Sequence, residues 1–187
     1  MIELRKNAED VMTAEYIYKF VKACEAVYGT REPLEIFRQR GAAVRNTAPE
    51  GLHGLICLAN GSVLVAVDPA ISESHRRMTL AHLLGHAILH RKKILAGKAY
   101  EEPSGEVPPS AAEREADLFA AELLISDEEI LELRDSGMNE GQVISSFGAL
   151  RDLAPHKLFS MRSRGISVGD DVCRADFLKR CDIELFF

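Results

Sequence analysis

Thr79-Leu80-Ala81-His82-Leu83-Leu84-Gly85-His86-Ala87-Ile88-Leu89-His90 sets three histidines four residues apart in an otherwise apolar run. Four residues are slightly more than one helical turn, so a helix here aims the imidazoles of His82 and His86 at one point. At about 100° per residue, His75, His82, His86 and His90 fall within a stripe of roughly 80°. Two imidazoles so placed are half of a metal site. Histidines also fall at this spacing by chance, so the reading needs support from elsewhere in the chain.

In the HExxH arrangement the residue after the first histidine is a glutamate, which acts as general base on the metal-bound water. Position 83 is leucine. The run therefore speaks for metal binding and leaves the catalytic position without a proton acceptor. His75, His90, Tyr100, Glu101 and Glu102 are the nearby residues that could approach the metal in its stead.

Support comes from the segment that opens at Pro109-Ser110. On a helical wheel Ala112, Ala116, Phe119, Ala120, Leu123 and Leu124 make a buried face, and Glu113 falls between Ala120 and Leu124. A carboxylate on a buried face is costly unless paired or metal-bound, and the two imidazoles would supply the reason. The competing assignment is a capping box, in which Glu113 folds back on the Ser110 N–H. Asp117, one turn on, is either a carboxylate orienting a ligand imidazole or a surface charge. Arg114, Glu115 and Glu122 fall outside the buried face and read as solvated.

Outward from these helices, residues 9–28 carry apolar side chains at helical spacing and stop at Gly29, and a shorter helix spans Pro33 to Arg40. Ala42 to Arg45 reads as a strand. Gly54–Leu58 and Val63–Val67, joined through Asn60-Gly61, read as a β-hairpin, because Asn-Gly supplies the positive φ angles of tight turns. The histidine helix is predicted from Glu73 to Leu95, followed by a polar loop over 96–109 bordering the site. Ser126-Asp127-Glu128-Glu129 is a capping box, and further short helices begin at Asn139 and Pro155. Ile183–Phe187 looks like a terminal strand.

Composition sets the bounds. The 187 residues are 47% hydrophobic with a net charge of −6, enough for a sizeable core and without a global basic field for nucleic acid or anionic membrane. Lys157, Arg162 and Arg164 give the last helix modest positive charge, and direct nucleic-acid binding is not expected. No apolar stretch reaches membrane-spanning length and no signal core follows Met1, so a cytoplasmic location is expected. Cys24, Cys57, Cys173 and Cys181 form no CxxC pair and read as reduced thiols.

Taken together, Met78-Thr79-Leu80-Ala81-His82-x-x-Gly85-His86-Ala87-Ile88-Leu89-His90 and Glu113-x-Glu115-Ala116-Asp117-x-Phe119-Ala120-Ala121-Glu122-Leu123-Leu124 resemble the two motifs of the ImmA/IrrE family of metallo-endopeptidase-like proteins. The preceding hairpin fits that family's layout, and the resemblance covers roughly residues 10–130. It implies a gluzincin-like α+β fold, with a small sheet packed on the histidine helix. It implies Zn2+ held by His82, His86 and Glu113. It also implies a protein partner or substrate, a transcriptional repressor of the kind carried by mobile elements. Leu83 departs from the family pattern. General acid–base help is worth ~10²–10⁴ in rate, so catalysis is expected to be impaired or absent. The expected organisation is a peptidase-like domain over 1–130 and a helical extension over 131–187 packed on it. The alternative function is a metal-free interaction module binding a repressor or antitoxin-like partner through the former substrate cleft.

Overall fold

The computed structural model describes residues 12–105 and 108–168. Helix α1 (Ala14–Tyr28) starts where the Thr13 hydroxyl accepts the Tyr16 N–H and ends at Gly29, whose φ of 65° suits a residue without Cβ. It buries Ile17, Val21 and Cys24. After α2 (Pro33–Gln39) come β1 (Ala43–Arg45), β2 (Leu52–Ala59) and β3 (Ser62–Val67). Asn60 and Gly61 turn the hairpin with φ of 50° and 76°, as the Asn-Gly pair predicts.

The histidines lie on α3 (Glu73–Leu89), capped by the Ser72 hydroxyl. Sequence periodicity extends this helix to Leu95. Instead the backbone leaves helical geometry at His90 (φ −107°, ψ 21°) and resumes as α4 (Arg91–Leu95). The polar loop expected over 96–109 is also corrected, because Tyr100–Pro103 forms β4 and pairs antiparallel with β2. A four-residue strand containing two glutamates and a proline carries no alternation to betray it. It forms because β2 offers a free edge, and Pro103 is tolerated at the margin of a sheet.

The sheet runs β1-β3-β2-β4, with β1 parallel to β3 and the other pairs antiparallel. Helix α3 packs on β2, and α5 (Ala111–Leu124) packs on α3. Two glycines permit this close layering. A Cβ on Gly54 of β2 would stand 2.6 Å from Thr79 Cγ2 and 2.9 Å from Leu83 Cδ1. One on Gly85 of α3 would stand 3.0 Å from Ala116 Cα of α5. The chain continues through α6 (Asp127–Asp135), α7 (Glu140–Ser146), a short turn of 3-10 helix and α8 (Ala154–Ser163). The protein is thus α+β, a small mixed sheet against α3 followed by a largely helical region.

Helix α5 is packed on by α1, α3 and α8, which corrects the wheel's account of its charges. Glu115 and Glu122 are buried, 5% and 3% exposed. A wheel with one apolar face assumes one buried face, whereas this helix is surrounded. The charges of α8 are also not a solvated patch. Lys157 is buried between Glu122 and Asp127, at 2.6 Å from each. Arg164 bonds Asp127 at 2.7 Å and lies 3.9 Å over the Tyr18 ring, and Arg162 pairs with Glu140. Cys24 and Cys57 are free thiols. Cys173, Cys181 and the strand-like Ile183–Phe187 lie outside the described residues.

Candidate metal centre

Consecutive turns of α3 present His82 and His86 on its α5 side, both buried. Glu113 comes from the first turn of α5, close to the Ser110 cap. His82 Nε2 lies 3.0 Å from His86 Nε2 and 3.0 Å from Glu113 Oε2, and His86 Nε2 lies 3.1 Å from the same oxygen. Three ligand atoms from three side chains thus form a nearly equilateral triangle. Bonds of about 2.0–2.1 Å to a tetrahedral ion would set ligand atoms ~3.3 Å apart, so the triangle fits zinc with a slight expansion.

For Glu113 the sequence leaves both a capping box and a ligand role open. Ser110 Oγ does accept the Glu113 N–H at 3.3 Å, so the serine caps the helix. The Glu113 carboxylate, however, turns to the histidines.

Behind the triangle the rings are held from their other nitrogens. His82 Nδ1 is 2.9 Å from Asp117 Oδ1. His86 Nδ1 is 3.0 Å from His90 Nδ1, and His90 Nε2 is 2.8 Å from Glu115 Oε2. Glu115 Oε1 in turn accepts the Met12 N–H at 2.6 Å. Only one proton pattern leaves both Nε2 lone pairs facing inward. His82 Nδ1–H donates to Asp117, His86 Nδ1–H donates to His90, and His90 Nε2–H donates to Glu115. Two imidazole lone pairs and a carboxylate then converge with no donor among them, a set that a cation satisfies.

The electrostatics of the site make the same point. Burial works against charge on His82, yet hydrogen bonds to Asp117 and Glu113 and the charges of Asp117 and Glu102 raise its pKa to about 10. A proton there stands in for the cation. Burial lowers His86 to about 4, reinforced by the charges of His82 and His90 against the pull of Glu113. Burial also opposes ionisation of Glu113, but its bonds to both histidines hold it well below the ordinary carboxylate range.

Of the other candidates, His75 is exposed and bonds the Ser72 hydroxyl, away from the site. Glu101 is exposed on β4. Tyr100 stacks on His86 with ring centroids 4.0 Å apart, and Glu102 Oε2 comes within 3.1 Å of His82 Nε2. Leu83 is fully buried. His90, one of the residues that could approach the metal, instead links His86 to Glu115. The role of Glu115 was missed. Its available signal was His90 itself, since a buried histidine one turn beyond the pair needs a polar partner.

A metal held here would act as a Lewis acid on a bound water or carbonyl group. An α+β protein with two helix-borne histidines and a glutamate from the next helix belongs to the metallopeptidase-like class in architecture. The particular family follows from comparison: the profile of the IrrE N-terminal-like domain, Peptidase_M78, matches residues 44–159, and the chain belongs to that family. No curated protein matches the chain. Among the described residues no helix is long and apolar enough to cross a membrane.

Proposed function

We propose that this chain is a zinc-binding member of its family that acts on a transcriptional repressor or similar regulatory protein in the cytoplasm. It engages that partner with metal-supported binding and little or no cleavage. The observation that carries the reading is the triangle of His82, His86 and Glu113, with His82 and His86 each anchored from behind. Reduced cleavage follows from Leu83, which offers no oxygen to a bound water. Residues 1–130 are the peptidase-like unit on this reading and 131–187 its helical extension, in keeping with the ion pairs that join α8 to α5.

Elemental mass spectrometry of the purified protein, beside a His82→Ala variant, tests it. About one zinc per chain, lost in the variant, is the expected result. Folded, never-chelated protein without zinc would overturn the metal-dependent reading. A second reading, the metal-free interaction module, draws on the hydrogen bonds that join His82 to Asp117 and Glu113 as a self-contained cluster. Its signature is partner capture that survives both chelation and His82→Ala.

A further inference from the structure

The residue that position 83 lacks has a neighbour in the sheet. Leu83 Cδ1 reaches the place where a Gly54 side chain would begin, so position 83 faces β2 at Gly54. In the register of β2 with β4, Gly54 pairs with Glu102. Directly paired residues project from the same face of a sheet, and Gly54 turns that face toward α3. Side chains alternate along a strand, so Tyr100 and Glu102 face the histidines while Glu101 faces away. The observed contacts agree: Tyr100 stacks on His86, Glu102 meets His82 Nε2 at 3.1 Å, and Glu101 is exposed.

We propose that Glu102 is the non-ligating carboxylate of this metal site. The edge strand supplies it to the region that position 83 faces from the helix. Glu102 meets the ligand triangle at its His82 corner, and it touches the metal-facing nitrogen and not the one bound to Asp117. A carboxylate there would accept a hydrogen bond from a water or partner group held beside the three ligands, which makes it a positioning residue. The inference rests on the zinc-binding reading above and goes beyond it, by assigning to β4 a role that the family's motif places on the helix.

The test measures zinc affinity by chelator competition, and the absorption spectrum of the cobalt(II)-substituted protein, for the parent, Glu102→Gln, Glu102→Ala, Glu101→Gln and Glu113→Gln. Groups that support a metal site without ligating it typically contribute 10–100-fold in affinity. Glu102→Gln and Glu102→Ala should weaken zinc by about that factor and keep the cobalt band positions, because the three ligands are intact. Glu101→Gln should match the parent, and Glu113→Gln should alter the bands. Parent-like zinc affinity in both Glu102 variants would overturn the proposal. So would band shifts like those of Glu113→Gln, which would make Glu102 a ligand. A parent protein that binds no zinc would instead remove the zinc reading, and this inference with it.

Discussion

At the scale of single residues, Leu83 does two things: it withholds an oxygen from the metal site and fills the seam between α3 and β2. Its side chain is fully buried and abuts Gly54. Restoring a glutamate at this position would therefore not be a simple repair. Leu83→Glu brings a second carboxylate toward Glu102 into a space shaped for an aliphatic group, and an uncompensated buried charge costs about 3–5 kcal/mol. Urea denaturation of the metal-free protein should register a loss of that order, and adding Glu102→Gln should recover part of it. Equal stability of Leu83→Glu and the parent would show that the seam accommodates the charge. The His82–His86 pair and the inward face of Glu113 were legible because helical spacing is a local property of the sequence, whereas joining them into one site rested on the resemblance, since α3 and α5 meet only in the fold. Glu102 was legible only as one of several nearby acids. What singles it out is its pairing with Gly54, and strand pairing is not written in any one segment.

At the scale of elements, the site depends on how closely α5 lies against α3. Gly85 sets that distance, since a Cβ there would meet Ala116 Cα at 3.0 Å, Ala116 O at 3.1 Å and Phe119 Cβ at 3.2 Å. Backbone atoms of α5 cannot rotate aside as a side-chain terminus can. Gly85→Val should therefore cost about 3 kcal/mol by overpacking. It should also weaken zinc binding, because Glu113 rides on the displaced helix. Calorimetric unfolding together with chelator competition checks both effects, and unchanged zinc affinity would show that the ligands tolerate helix separation. The hairpin could be read from Asn-Gly, and the starts of α5, α6 and α7 from Ser110, Ser126 and Asn139. The break at His90 and strand β4 could not, because the break coincides with a ring held by α5 and the strand exists only by virtue of the β2 edge. The burial of Glu115 and Glu122 escaped the wheel for the same reason: their partners lie on other elements.

At the scale of the whole molecule, a net charge of −6 hides a buried ionic cluster that fastens the C-terminal helices to the site-bearing half. Lys157 and Glu122 are each 2% exposed at the side chain. Lys157→Met should destabilise by about 3–5 kcal/mol, chiefly because the buried Glu122 loses its 2.6 Å partner and keeps only the longer 3.4 Å contact with Arg164. The double change Lys157→Met with Glu122→Leu should recover much of that loss, since Asp127 and Arg164 still pair. Urea unfolding of the four proteins of this cycle measures the coupling, and additive losses would mean the pair is not a unit. The basic residues of α8 were visible in the sequence, but their burial was not, because their partners come from α5, α6 and α7. A last connection reaches the other end of the described chain. The Met12 N–H holds Glu115, Glu115 holds His90, and His90 holds His86. Seating of the amino-terminal helix is thereby wired into the aim of a ligand imidazole. A protein whose first helix had come loose would present itself at the bench as one with a faulty metal site, although every ligand was still in place.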